Sequence, residues 1–401
     1  MPTHEDYQWL TSTAGAEAID RAAKLLAQVD LVVATTRLRK QYPLALSALA
    51  LEQAALRKRA AAKFTDAGRM VFTDVGLQQA SGEAVAAFKA ARFPANAEVF
   101  DLCCGIGGDL FALARRGPTV GVERDPVIAT LAAANCRALR LSHATVRTAD
   151  VNDLSRRDMP LVHIDPDRRP QGQRTTQLSL HQPGNDYLES LLDHCDGGAI
   201  KLSPAANVPD HWQQRCQLQW ISHAGECKQL IVWFGTLASN PTSRTAICLP
   251  NNFLANPTAS TFDCDIAQFD TPYPPIATSL GDYIHEPDPA IIAAKLVNAF
   301  AQRHNLSAIA HGIDYLTGDQ PIDHGCVTSF QVIDQSAMDL RRVKAMLKSH
   351  GVGRLEIKKR GVDIDPHHLQ RRLRTDAPQS AVLILTPQAG KTIAILAKRT
   401  S

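Results

Sequence analysis

Residues 99–125, VFDLCCGIGGDLFALARRGPTVGVERD, decide the fold. A short apolar run ends in a carboxylate, Asp101, and a loop bearing Gly105, Gly107 and Gly108 follows. Leu110, Phe111, Leu113 and Ala114 then recur at helical spacing, and a second apolar run, 119–122, ends in Glu123. Strand, glycine turn, helix, strand and acid are the parts of a nucleotide-binding βαβ unit. Glycine lets backbone approach a ligand where a Cβ would collide. The helix N-terminus offers N–H groups that have no partner inside the helix. An acid closing the second strand, about 20 residues on, can accept hydrogen bonds from both ribose hydroxyls.

The loop reads D-x-x-x-G-x-G-G, whereas dinucleotide sites carry G-x-G-x-x-G. An acid at the head of the loop repels a pyrophosphate and attracts a cation. S-adenosylmethionine carries a sulfonium and an ammonium, so Asp101, Gly105, Gly107 and Glu123 are the expected cofactor residues. Two further acids fall at strand ends. Ala144–Thr148 reads as a third strand followed by Asp150, which with the backbone of Val151 can hold an adenine amino group. Leu161–Ile164 reads as a fourth, closed by Asp165-Pro166-Asp167-Arg168-Arg169-Pro170. Ligands of a doubly wound sheet lie beyond the carboxyl ends of its strands, so these four acids are expected to share one crevice.

Methyl transfer is an in-line displacement in which a protein mainly positions the partners. Asp165 and Pro166 are expected to do this, because a carboxylate and a proline-fixed carbonyl can accept hydrogen bonds from an amino group and aim its lone pair. Asp167, Arg168 and Arg169 are assigned to the substrate, since arginine forks onto phosphate or carboxylate.

A length of 401 residues exceeds one core and implies two or three domains. With 45% apolar residues and a net charge of +3, the chain reads as soluble and globular. No apolar run nears the roughly 18 residues of a membrane span. The opening MPTHEDYQWL lacks the basic-then-apolar form of a signal peptide, so a cytoplasmic protein is expected. Nine cysteines without a repeating framework fit a reducing compartment. His211, Cys216, His223 and Cys227 match no common zinc spacing, and no metal is expected.

The charge is uneven. Residues 341–401 hold 14 Lys/Arg against 4 Asp/Glu, a local excess near +10 that leaves about −7 for the rest. Lys358, Lys359 and Arg360 in LEIKKRG, with Arg371 and Arg372 in HHLQRRLR, supply much of it. Such cations can track phosphates without reading bases. Residues 1–92 read as a helical segment, 93–275 as the α/β core, and the chain from 283 onward as a compact α+β tail.

Together VFDLCCGIGGDLFALA, GVERDP, the DPDRR strand end, IKLSP, GECKQL, YIHEPDPAI and LEIKKRGVDIDP resemble the class I S-adenosylmethionine-dependent methyltransferases that end in a THUMP-like domain. The resemblance spans residues 64–399. It implies a seven-stranded Rossmann-like core, a ferredoxin-like segment at 283–335 and a THUMP-like domain at 336–401. The THUMP name implies RNA binding, so the expected activity is methylation of RNA, either tRNA or rRNA. A small anionic metabolite or a protein as substrate, or a non-catalytic RNA-binding role, are the alternatives.

Two departures from the family pattern bear on the chemistry. Cys103 stands at the first glycine of D-x-G-x-G-x-G, which is tolerable if its backbone torsions are ordinary. Amino-methylating relatives carry Asp/Asn-Pro-Pro-aromatic after the fourth strand, the aromatic stacking on a flipped base. Here Asp167 and Arg168 take the last two places, so N6-adenine or N2-guanine methylation does not carry over. No Pro-Cys or Thr-Cys stands there either, against the covalent cysteine route of 5-methylcytosine enzymes.

Overall fold

The computed structural model describes residues 2–167, 177–265 and 272–400. The chain forms two compact units: Met1–Gln217 with Leu230–Pro241 and Asn252–Pro257, and Leu218–Gln229 with Thr242–Asn251 and Thr258–Ser401.

The first unit begins with helices His4–Leu10, Thr13–Leu26, Leu31–Leu38 and Leu44–Ala60. Thr3, Ser12 and Asp30 cap the first three, each side chain accepting from an otherwise unpaired backbone N–H. Their apolar faces bury Leu10, Ile19, Leu38 and Leu49 against Val71 and Leu131. An extended strip then passes between two buried amides. Gln53 bonds both the N–H and the carbonyl of Phe72. Asn135 does the same for Val71 and also reaches the Ile106 carbonyl in the glycine loop. Helices Asp74–Gln79 and Glu83–Ala90 lead into the sheet.

Five parallel strands follow, β1 (Val99–Leu102), β2 (Thr119–Glu123), β3 (Ala144–Thr148), β4 (Leu161–Ile164) and β5 (Gly197–Leu202). They lie in the order β3-β2-β1-β4-β5. After β6 (Gln217–His223), the chain enters β7 (Glu226–Gly235), whose residues 230–235 run antiparallel to β5. The strand order reverses between β1 and β4, which is the switch point where a doubly wound sheet opens a crevice.

In the second unit β6 pairs parallel with β8 (Ser243–Leu249), and β9 (Ser260–Asp265) runs antiparallel to β8. A seven-stranded sheet is built from β10 (Tyr283–Pro287), β11 (Ser307–Ala308), β12 (Leu316–Gly318), β13 (Val327–Ala337), β14 (Val352–Lys359), β15 (Gln379–Gln388) and β16 (Lys391–Arg399). Its order is β11-β12-β10-β13-β16-β15-β14. β13 pairs with β10 on one side and β16 on the other, so residues 283–335 and 336–401 contribute to one sheet. In β15 Leu383 and Leu385 face helices Leu340–Ser349 and Pro366–Leu373, while Val382 and Ile384 join Ile284, Tyr315 and Phe330 on the other face. Among the described residues no helix is long and apolar enough to cross a membrane.

Candidate active site

The glycine loop leaves β1 through three left-handed residues: Cys103 (φ 56°), Gly105 (φ 56°) and Gly107 (φ 103°). A Cβ on Gly107 would stand 2.3 Å from the Phe111 ring, whereas one on Gly105 would meet nothing within 4 Å. Backbone is therefore open to a ligand at Gly105. Cys103 does not have the ordinary torsions its side chain prefers. It holds a glycine conformation with a Cβ, a strain of about 1–2 kcal/mol.

Glu123 ties this loop to the end of β2, accepting from the N–H groups of Gly105 and Asp125, each at 3.0 Å. Burial raises its pKa, and the backbone donors only partly oppose that. Asp150 caps the turn at Val151–Asp153 through bonds from the Asn152 N–H (2.9 Å) and side-chain amide (2.8 Å), and Val151 is buried. Asp101 is 1% exposed. Its Oδ1 accepts from His163 Nδ1 at 2.7 Å, while Oδ2 has no hydrogen-bond partner among the described residues. Burial raises the Asp101 pKa and His163 opposes it.

Three of the strand-end acids act on one group. The Cys103 thiol is pushed far up by burial, then by Glu123, Asp165 and Asp101. Tyr187 is likewise raised by burial and feels both Cys103 and Asp150. Among the described residues its buried hydroxyl has no hydrogen-bond partner, and the Arg156 guanidinium lies 4.3 Å from its ring centre.

Beneath the acids lies a buried charged cluster that the sequence reading missed. Lys89 Nζ is 2.7 Å from Asp109 Oδ1, 3.3 Å from His163 Nε2 and 3.4 Å from Ser81 Oγ. Ser81, in turn, donates to Asp109 Oδ2 at 2.7 Å. An ammonium donating into Nε2 requires the His163 proton to be on Nδ1, where it serves Asp101. Burial lowers the Lys89 pKa. Burial also works against ionised Asp109, but Lys89 above all, with Lys201, outweighs it and holds the carboxyl well below the usual range. A signal for this cluster was present: Lys89 in AVAAFKA, His163 in LVHI and Lys201 in AIKLS are polar residues inside apolar runs.

Asp165 follows β4 and is bound through Oδ2 by the Lys201 ammonium of β5, which also reaches the Gln79 carbonyl at 3.4 Å. Pro166 is buried. The Asp167 backbone exchanges two hydrogen bonds with Gln182, and its carboxylate is 4.0 Å from Arg124. Arg168 and Arg169 lie outside the described residues.

The tail cations divide into two sets. Lys358 sits 2.7 Å from Glu286, and Arg360 sits 3.5 Å from both Glu286 and Asp314. Lys359, Arg371 and Arg372 are exposed, as are Arg341, Arg342, Lys344, Lys348 and Arg374 on and beside the same two helices.

An unpartnered buried carboxylate oxygen, a second carboxylate at the end of β2 and open space at Gly105 suit a nucleoside cofactor that carries positive charge. The comparisons agree. The family described as THUMP domain-like matches residues 327–399, and a domain of unknown function (DUF8688) matches residues 3–60. The fold matches the crystal structure of a candidate methyltransferase from Porphyromonas gingivalis W83, with TM-score 0.79 and 21% identity over 97% of this chain and 99% of that one. Uncharacterized S-adenosylmethionine-dependent methyltransferases from Mycobacterium tuberculosis strains CDC 1551 / Oshkosh and ATCC 25618 / H37Rv are each 32% identical over 349 residues, which is 84% of this chain and 91% of theirs. With the acids, the glycine loop and this kinship in agreement, the chain belongs to the S-adenosylmethionine-dependent methyltransferases.

Proposed function

We propose that this enzyme methylates RNA. The supporting observation is the cationic face on helices Leu340–Ser349 and Pro366–Leu373, which pack side by side on one face of the second unit's sheet. Arg341, Arg342, Lys344, Lys348, Arg371, Arg372 and Arg374 are all exposed there, with no base-reading element implied. In the first unit Glu123 would accept from the ribose hydroxyls, Asp150 and the Val151 backbone would hold the adenine, and Gly105 would admit the ligand to the backbone while Gly107 shapes the turn beside Phe111. Asp101 would set the negative potential of the crevice. The cofactor supplies a methyl group already activated on a sulfonium. Asp165 and Pro166 would orient the acceptor, and Asp167, Arg168 and Arg169 would hold the substrate.

The test is binding of bulk tRNA and rRNA by the full chain. Affinity should fall at least about 100-fold between 50 and 200 mM salt, as expected when several phosphates are neutralised. Salt-independent or undetectable binding would redirect the substrate to a small anionic metabolite or a protein.

A further inference from the structure

We propose that the acceptor is a ribose 2′-hydroxyl and that Lys201 and Asp165 receive it together; this rests on the RNA reading above. Asp165 is not a bare hydrogen-bond acceptor, because the Lys201 ammonium is bound to its Oδ2. The Lys201 side chain is 6% exposed and that of Asp165 26%, so a buried donor stands behind a carboxylate that faces outward. The bond from the same ammonium to the Gln79 carbonyl is long, at 3.4 Å, and is a contact that a substrate oxygen can replace.

A donor and an acceptor side by side complement a hydroxyl. A hydroxyl has one O–H and two lone pairs. It can donate to Asp165, accept from Lys201 and keep one lone pair for the methyl carbon. The exocyclic amine of a base fits this pair poorly. Its lone pair is drawn into the ring, so it offers two N–H donors and has nothing for an ammonium to bind. The strand end agrees, since Asp167 and Arg168 stand where a base-stacking aromatic would be needed. The sugar edge needs no such platform, because 2′-hydroxyls line the wide minor groove of RNA helices and are open in single strands.

The step balances. The oxygen lone pair forms the O–C bond as the donor's C–S bond breaks, the sulfonium leaves as a neutral thioether, and the hydroxyl proton passes to Asp165 and then to water. Lys201 keeps its protons throughout and holds the acceptor oxygen in line.

The experiment incubates the full-length protein with methyl-labelled S-adenosylmethionine and bulk tRNA and rRNA from cells lacking the gene. Nuclease digestion and mass spectrometry then locate the label. The expected result is label in 2′-O-methylribose, within alkali-resistant dinucleotides. Lys201→Met should lower transfer at least about 100-fold, the scale of losing one preorganised donor, while S-adenosylhomocysteine affinity by calorimetry changes less than about twofold. Label on a base overturns the hydroxyl assignment and leaves RNA methylation standing. No label in RNA overturns both. Undiminished transfer by the folded Lys201→Met variant removes Lys201 from the step, and the position of the label in the unaltered protein decides the acceptor even if that variant does not fold.

Discussion

Replacing Lys89 with methionine should cost the first unit about 3–5 kcal/mol, the usual loss when one partner of a buried ion pair is removed. The side chains of Lys89 and Asp109 are 2% and 8% exposed and approach to 2.7 Å. At an effective dielectric of about 20, charges this close attract by roughly 6 kcal/mol. That attraction offsets a desolvation cost of several kcal/mol per ion, so the intact pair is close to neutral in net terms. Without the ammonium, Asp109 keeps the Ser81 hydroxyl but loses its nearest cation, and His163 Nε2 loses its donor. Adding Asp109→Asn removes the stranded charge and should restore at least about 2 kcal/mol of the loss. In calorimetry, at about 2–4 °C per kcal/mol for a unit of this size, the single variant's transition falls by roughly 6–20 °C and the double variant's falls less. The pH dependence has a definite sign. Asp109 is depressed in the folded state, so its stabilisation is fully present above the unfolded value of about 3.9 and is lost as pH falls through the folded one. The gap between native and Lys89→Met therefore narrows as pH drops toward and below about 4. A single variant within about 1 kcal/mol of native, the range of an exposed pair, or a double variant no better than the single, would refute this account.

Other outcomes follow from the same geometry. Glu123→Gln should weaken S-adenosylmethionine binding about tenfold at neutral pH, the worth of a charge-assisted hydrogen bond. Because burial raises the Glu123 pKa, native affinity should start to fall above the ordinary glutamate range as pH drops, while the variant's should not; calorimetry from pH 8 to 5 that finds parallel curves rejects the assignment. Cys103→Gly should gain up to about 1 kcal/mol in urea unfolding, since φ 56° strains any side chain but glycine, and a loss of that size would contradict the strain. Arg371→Ala/Arg372→Ala should reduce the salt slope of tRNA binding by about 2 at unchanged Tm. Lys358→Ala should do the opposite, lowering Tm with little effect on RNA because its partner is Glu286; equal effects on RNA would erase the division of the tail cations.

The placement of the acids at neighbouring strand ends was legible, because a parallel sheet gathers its strand ends whatever the loops do. The buried cluster was not, because its contacts are long-range. Lys89 meets His163 across 74 positions and His163 meets Asp101 across 62, and neither spacing belongs to a local period. The polar residues inside the apolar runs were the available clue, and pairing them needed the sheet order. Charge counting has a different blind spot in the tail. It treats Lys358 and Lys359 alike, yet alternation along β14 sends them to opposite faces, one onto Glu286 and the other to solvent. The Cys103 torsion likewise had to be seen, since a sequence shows which side chain replaces glycine but not whether the chain still turns as glycine would.

The helices before β1 bear on the chemistry for the same reason. The Lys63 ammonium bonds the carbonyls of Leu77, Gln78 and Ala80, at 2.7, 3.0 and 3.0 Å, and so fixes the exit of helix Asp74–Gln79. That exit delivers the Gln79 carbonyl to Lys201 and the Ser81 hydroxyl to Asp109, and the next helix delivers Lys89. A division between residues 92 and 93 would thus cut through one charged cluster. It would leave Asp109 and His163 buried without the groups that satisfy them, and Lys201 without one of its two named contacts. Buried charges tolerate such a loss poorly, so the helical segment supplies part of the floor on which the acids stand.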